Sequence, residues 1–233
     1  MATIPRSYID NYTRSLEQLS AASQQALAER IAQVDFSDLT AAANELVEIM
    51  EAYCGYSADA AAQIAAAFYN GMSMLQTGFP YDAIPVSAHV AEGTERATRG
   101  IFQRAVDGDI ASMTTQLLER IDYEVKRAAG QTVLDNVVGD PRKPRYARVP
   151  DGGETCSFCI MLASRGFVYR SRATAGELNH YHAHCRCRIV PGFGSDPAAE
   201  GYDPDFWYRL YKDEGAAEEW RLENDLERED QTS

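Results

Sequence analysis

Apolar side chains recur at helical spacing along the first 34 residues. Between residues 6 and 34, no proline or glycine interrupts a pattern in which an apolar residue returns at near-helical intervals. This spacing places the apolar side chains on one face and predicts an amphipathic helix over about 6–34. The apolar positions are Ile9, Tyr12, Leu16, Leu19, Ala22, Leu27 and Ile31.

Two alanine-rich helices are predicted to follow the first. The second is expected to begin near Ser37 and to end at Gly55, because glycine is favoured just beyond a helix C-terminus. Ser57 is expected to cap the third helix, which ends by the turn sequence TGFP at 77–80.

A proline-containing link separates these helices from two more. Residues 79–89, with the sequence FPYDAIPVSAH, carry two prolines and are predicted to be extended. The helical pattern returns over about 91–106 and again over about 109–137. Within the latter, Gly130 weakens the helix by roughly 1 kcal/mol relative to alanine.

The composition changes between residues 139 and 156, where three prolines, three glycines and several basic residues replace the alanine-rich pattern. Such a change is typical of a domain boundary. We therefore expect a helical domain over 1–138, a separate Cys/His module over 139–195, and an acidic C-terminal helix and tail over 196–233.

The net charge of −13 excludes a generic DNA- or RNA-coating protein, because phosphate binding needs concentrated lysine and arginine. The N-terminus lacks the apolar core of a secretory signal, and the most apolar stretch, 58–68, is too short to span a bilayer. We therefore expect a soluble protein of a reducing cytoplasm, where cysteine clusters more often bind metal than form disulfides.

The five cysteines are distributed unevenly. Four of them lie beyond residue 139, as Cys156-x2-Cys159 and Cys185-x-Cys187, and histidines cluster beside the second pair. A Cys-x-x-Cys turn presents two thiolates on one side, and a second pair from a distant turn completes the tetrahedron that structural Zn²⁺ prefers. The sequence therefore predicts a structural zinc site, with candidate ligands Cys156, Cys159, His182, Cys185 and Cys187.

More candidates are present than the four positions that a zinc ion offers. The closing pair is either His182 with Cys185 or Cys185 with Cys187, and His180 and His184 are less favoured. Arg186 and Arg188 alternate with the cysteines, so both are expected to face solvent from a strand whose other face holds the metal.

Two other interpretations of the thiols remain open. A disulfide between the two pairs would need an oxidising environment. A nucleophilic Cys185 activated by histidine would need a thiolate that is not already a metal ligand. Cys54, alone on a helix, is interpreted as a small buried apolar side chain.

The stretch YARVPDGGETCSFCIMLASRGFVYRS, together with YHAHCRCRIVPGF, resembles the C-terminal segment of phage MuF-like minor head proteins, in particular those of actinobacterial tailed phages and prophages. The family pattern is Thr-Cys-x-x-Cys, an apolar hairpin, His-x-x-Cys-x-Cys and a short strand ending near proline. Many members have proline after that histidine, where this chain has Ala183. The pattern is filled here by Thr155, Cys156, Cys159, His182, Cys185, Cys187 and Pro191.

The resemblance implies a non-enzymatic minor capsid protein that is carried into the procapsid interior in few copies. Its implied partners are the portal protein, the capsid or the scaffold, and its implied role is in head assembly, DNA packaging or delivery. It is expected in the virion, and in the host cytoplasm during assembly. Contact with packaged DNA is compatible with this role, whereas association with a membrane is not expected.

The expected fold is mainly α, with a helical N-terminal bundle, a small α+β zinc-stapled C-terminal module and a C-terminal helix. Two alternative functions belong to other classes. A metal-dependent nuclease acting during packaging would need an open metal position and a general base, for which only Glu154 and Glu177 lie nearby. A zinc-ribbon DNA-binding protein would use the basic stretch 142–148, against an overall charge of −13.

Overall fold

A computed structural model describes residues 3–87, 89–151, 155–171 and 187–213. Within these ranges the chain is mainly helical, as the sequence predicts, and it has one small antiparallel sheet. The described elements, in chain order, are α1 (Arg6–Ile31), α2 (Leu39–Thr77), α3 (Ala91–Val106), α4 (Ile110–Gly139), β1 (Arg145–Pro150), α5 (Ser157–Ala163), β2 (Cys187–Gly192) and α6 (Pro204–Lys212).

Helix α2 runs for 39 residues without a break, so the predicted helix end at Gly55 and the predicted cap at Ser57 are wrong. A glycine inside a helix costs about 1 kcal/mol, which is small beside the burial of a continuous apolar stripe. Cys54 and Ala58, on either side of the predicted break, are both fully buried. A Cβ on Gly55 would lie 3.7 Å from the ring of His89, an ordinary van der Waals distance, so the packing there would also accept an alanine.

The described chain divides into two compact units. The helical unit comprises residues 14–65 and 85–132, and the sheet unit comprises 3–13, 66–84 and the described residues from 133 onwards. Each unit is a group of residues that pack together and combines several stretches of the sequence. The predicted domains are single continuous stretches, so these units do not test the predicted boundaries at 139 and 196, which stay predictions.

The core of the helical unit is built from the apolar stripes of its helices. Leu27 and Leu46 are fully buried, as are Met113 and Leu117 from the first turns of α4. Ile121, Val125 and Ala128 continue this buried face of α4, whereas the apolar Ile110 at the start of the helix is 39% exposed.

The sheet unit is organised around the pairing of β1 with β2. The strands are antiparallel, with Arg145 opposite Gly192 at one end and Pro150 opposite Cys187 at the other. Every residue of both strands is buried except Arg145, the first residue of β1, which is half-buried. The strand at 188–191 was predicted, whereas β1 falls in the stretch interpreted as a boundary.

Within the predicted C-terminal segment 196–233, the structure describes one helix, α6, which ends at Lys212 with an extended Asp213 beyond it. Helix α6 begins at Pro204, and the Asp203 side chain caps it by accepting a hydrogen bond from the Asp205 N–H at 2.9 Å. Residues 214–233 lie outside the described residues. None of the described helices is long and apolar enough to cross a membrane.

Candidate metal centre

The first Cys-x-x-Cys pair forms the beginning of α5. Cys156 is the N-cap residue, with extended backbone angles, and its Sγ accepts a hydrogen bond from the Cys159 N–H at 3.4 Å. The Ile160 N–H donates to the Cys156 carbonyl at 2.9 Å and closes the first helical turn. This arrangement places Cys156 half-buried at the helix start and Cys159 one turn later in the core.

The third described cysteine of the group arrives from the sheet. Cys187 is the first residue of β2 and lies opposite Pro150, the last residue of β1. Because side chains alternate along a strand, Cys187 shares its face of β2 with Ile189 and Pro191. The register of the two strands therefore fixes where the Cys187 thiol points.

The Sγ atoms of Cys159 and Cys187 are 2.9 Å apart, although 28 residues separate them in sequence. Both side chains are only 1% exposed. A disulfide has an S–S distance of about 2.05 Å, and both cysteines are free. Two sulfur atoms from different elements thus converge on one buried point, at a separation longer than a disulfide bond and shorter than the roughly 3.8 Å between two sulfur ligands of a tetrahedral zinc ion.

The described residues supply thiol donors of the type that zinc prefers, but they do not form a metal site. Three of the five candidate ligands, Cys156, Cys159 and Cys187, are placed, and thiolates are the ligands that structural zinc prefers. His182 and Cys185 lie outside the described residues. Among the residues that the structure does describe, no group of three His, Cys, Asp or Glu side chains is arranged to hold a metal ion.

Comparison with known proteins assigns the chain to a family. The model of the VG15 protein family matches residues 3–214. The chain belongs to this family. The match spans nearly the whole chain and includes all five candidate ligands.

Two curated relatives of this family member are phage gene products. The chain is 29% identical over 131 residues to the Gene 15 protein of Mycobacterium phage D29, covering 42% of this chain and 46% of the relative. It is 29% identical over 121 residues to the Gene 15 protein of Mycobacterium phage L5, covering 35% of this chain and 41% of the relative. The chain thus spans less than half the length of the relatives it matches, and no solved structure matches it.

Arg188 corrects one expectation about the strand that carries the candidate ligands. The side chain was expected to face solvent, but the residue is only 5% exposed, and its Nε donates to the Thr13 Oγ1 at 3.1 Å. Alternation does put Arg188 on the face opposite Cys187, but the N-terminal part of α1 covers that face. Arg186 lies outside the described residues.

Tyr12 packs beside this buried arginine. Its ring stacks on Phe68 with a centroid distance of 4.0 Å. Burial raises the pKa of the Tyr12 phenol above its ordinary value, while the Arg188 cation acts in the opposite direction. The face of the sheet opposite Cys187 is thus buried by the stacked rings of Tyr12 and Phe68 and by the hydrogen bond from Arg188 to Thr13.

An unpredicted cluster around Asp140 holds the other end of the sheet. The Asp140 carboxylate accepts a hydrogen bond from the Tyr69 hydroxyl at 3.0 Å and two from Arg142, at 2.9 Å from Nε and 2.6 Å from Nη2. The Arg142 guanidinium lies 4.8 Å from the centre of the Phe193 ring, just beyond β2. The sequence GDPRK was interpreted only as a boundary, because the tyrosine partner lies some 70 residues upstream.

Gln76 extends this support along the strand end. Its Nε2 donates to the Pro191 carbonyl at 3.2 Å, and its Oε1 accepts from the Phe193 N–H at 3.0 Å. The end of β2 is therefore tied to α2, which helps to fix the register that brings Cys187 to Cys159.

Proposed function

We propose that this chain is a minor head protein of a tailed phage or prophage whose C-terminal segment is held together by structural zinc. Two findings support the proposal. The chain belongs to the VG15 protein family, and its curated relatives are mycobacteriophage gene products. The observation that carries the zinc component is the convergence of the Cys159 and Cys187 sulfur atoms in the buried part of the sheet unit.

The zinc ion would be held by Cys156 and Cys159 together with one of the two closing pairs, His182 with Cys185 or Cys185 with Cys187. Of the two closing pairs that the sequence left open, the position of Cys187 beside Cys159 favours the one that includes Cys187. Bound zinc supplies folding free energy to a segment that is too short to form a large core alone. These residues thus link the start of α5 to the start of β2.

The proposed role is structural and not enzymatic. Four thiolate or imidazole donors would satisfy the tetrahedral preference of zinc and leave no position for a substrate or an activated water. The nuclease alternative would require an open coordination position on the metal. The zinc-ribbon alternative would require a free basic surface for DNA.

The basic stretch 142–148 is largely used within the fold. Arg142 pairs with Asp140, and the Nη2 of Arg145 donates to the carbonyl oxygens of Gly194 and Ser195. Arg148 is only 3% exposed. These arginines therefore do not form the free basic face that sequence-independent DNA binding needs.

The proposed partners are the portal protein and the capsid or scaffold proteins, and the proposed location is the interior of the head. The location follows from the resemblance of the Cys/His segment to MuF-like minor head proteins, and the phage relatives support a phage setting. The net charge of −13 suits a protein–protein role better than a DNA-coating role.

The proposal is tested by deleting the gene from a phage that carries it and complementing the deletion with wild-type or variant chains. We expect the deletion and Cys187→Ser to lower the yield of DNA-filled heads, while Cys54→Ser restores it. Electron microscopy of the particles and the amount of packaged DNA provide the readout. Normal numbers of filled, infectious particles from the deletion would reject a role in the head.

A further inference from the structure

A pocket of about 360 Å³ lies in the sheet unit, apart from the candidate ligands. It is formed by the turn after α5, by the segment between β2 and α6, and by the first residue of β1. Pockets that bind ligands usually enclose about 300–1,000 Å³, so this one has room for one large side chain and its neighbours.

The lining of the pocket is mainly apolar. Phe167 and Tyr202 pack edge to face with ring centroids 5.9 Å apart, and Val168 is 51% exposed. The Tyr202 hydroxyl already donates to the Ala163 carbonyl at 2.6 Å. Because the Tyr202 hydroxyl already donates to a backbone carbonyl, the lining offers a ligand mainly apolar surface.

The backbone around the pocket is held in place before any ligand arrives. Gly166 has a φ of +69°, and a Cβ there would come within 3.2 Å of Pro204. The Ile4 N–H donates to the Ala198 carbonyl, and the Glu200 N–H donates to the Ile4 carbonyl, both at 2.8 Å. A preformed pocket lowers the ordering cost of binding.

The rim carries Arg145, which forms no ion pair with any carboxylate of the described residues. Only the Nη2 of Arg145 makes hydrogen bonds to described residues, and both of its acceptors are carbonyl oxygens, Gly194 at 3.3 Å and Ser195. Asp196 also lines the rim, but among the described residues it forms no ion pair with Arg145. The remaining guanidinium donors therefore suit a ligand carboxylate next to an apolar surface.

We propose that this pocket docks a peptide segment of a partner protein in which a large apolar side chain stands beside an Asp or Glu. The apolar side chain enters between Phe167 and Val168, and the carboxylate binds the free edge of the Arg145 guanidinium. This site is independent of zinc binding and of location in the head.

Two capped dipeptides test the proposal on the full chain, acetyl-Trp-Glu-amide and acetyl-Trp-Gln-amide, which differ only in charge. Binding is measured by ligand-observed NMR. We expect weak binding of both, with the Glu peptide binding about 5- to 10-fold more tightly because a charge-assisted hydrogen bond is stronger than a neutral one. This difference should shrink at high salt.

Three variants locate the binding on the pocket. Arg145→Gln should remove the preference for the Glu peptide, and Asp196→Asn should strengthen binding of the Glu peptide about 2-fold without changing that of the Gln peptide. Ala198→Trp, which fills the pocket from an exposed position, should abolish both. Circular dichroism confirms that each variant is folded.

Three results would overturn the proposal: equal affinity for the two peptides, binding that survives in folded Ala198→Trp, or no binding at peptide concentrations of about 10 mM. Because the readout involves neither metal nor virions, such a result would leave the proposed head function standing.

Discussion

Asp140 shows how one buried carboxylate can link two segments that are distant in sequence. Its side chain is fully buried and is bound by Tyr69 from α2 and by Arg142 from the loop before β1. Burial acts to raise the pKa of this carboxyl, but the hydrogen bonds from Arg142 and Tyr69 outweigh it, so the pKa lies below its ordinary value. The charged form is therefore the one that the fold stabilises.

The charge on Asp140 should make the sheet unit sensitive to acid. A carboxyl whose pKa is lower in the folded state stabilises the fold above its unfolded pKa of about 3.9. That stabilisation is lost as the pH falls through the lower, folded pKa. We expect Asp140→Asn to lower the free energy of unfolding by about 1.5–3 kcal/mol at pH 7 and to flatten its decline in acid.

Urea unfolding of both chains between pH 2 and pH 7 provides the measurement. The exposed Asp59 is the matched control position, and Asp59→Asn should change stability by less than about 0.5 kcal/mol. An equally steep acid dependence in Asp140→Asn and the wild type would show that this carboxylate does not carry the effect.

Cys54 should be chemically inert in the folded chain. Burial raises the pKa of its thiol to about 12, with the nearby Glu124 carboxylate adding to the shift. Since the thiolate is the reactive form, iodoacetamide should leave Cys54 unmodified between pH 7 and pH 10 and should modify it in urea. Peptide mass spectrometry gives the extent of modification. Alkylation of native Cys54 that rises through pH 8–9 would contradict this expectation.

At the scale of elements, the end of β2 is packed too tightly for any added atom. A Cβ on Gly192 would lie 2.6 Å from both Phe167 and Pro197. Gly192→Ala should therefore destabilise the chain by about 1–3 kcal/mol through overpacking. Gly100, exposed in α3, has nothing within 4 Å of the same position, so Gly100→Ala should stabilise it by about 0.5–1 kcal/mol. Thermal unfolding of the two variants should shift in opposite directions, and shifts of the same sign would refute this packing account.

Zinc should connect α5 to β2. We expect about one zinc ion per purified chain, with the metal content falling sharply in Cys187→Ser and staying unchanged in Cys54→Ser. A zinc chelator should lower the unfolding temperature of the wild type and of Cys54→Ser. Inductively coupled plasma mass spectrometry measures the metal. Full zinc content in Cys187→Ser would exclude this cysteine as a ligand.

Most helices could be predicted from sequence, because helical periodicity is a local property. The patterns at 6–34, 91–106 and 109–137 correspond closely to α1, α3 and α4. Gly55 misled the prediction because a local helix-ending signal was outweighed by burial on both sides of it. Strand β1 was missed because its pairing partner lies some 40 residues away, behind a proline-rich sequence.

The zinc site and its ligand set stay predictions. Cysteine spacing singled out Cys156, Cys159 and Cys187, and the structure brings the sulfur atoms of Cys159 and Cys187 together. Alternation predicted that Arg188 points away from Cys187, but it carried no information on whether solvent or α1 covers that face. The Asp140 cluster depends entirely on contacts between distant residues, which no local pattern records.

For the whole molecule, we propose that this member of the VG15 family is a component of a phage head. The most direct measurement is the copy number of the chain in purified, DNA-filled heads, obtained by quantitative mass spectrometry against labelled peptides. The account predicts a few copies per head, retained after protease treatment of intact particles. Absence from the heads, while the chain is abundant in the same lysate, would contradict it.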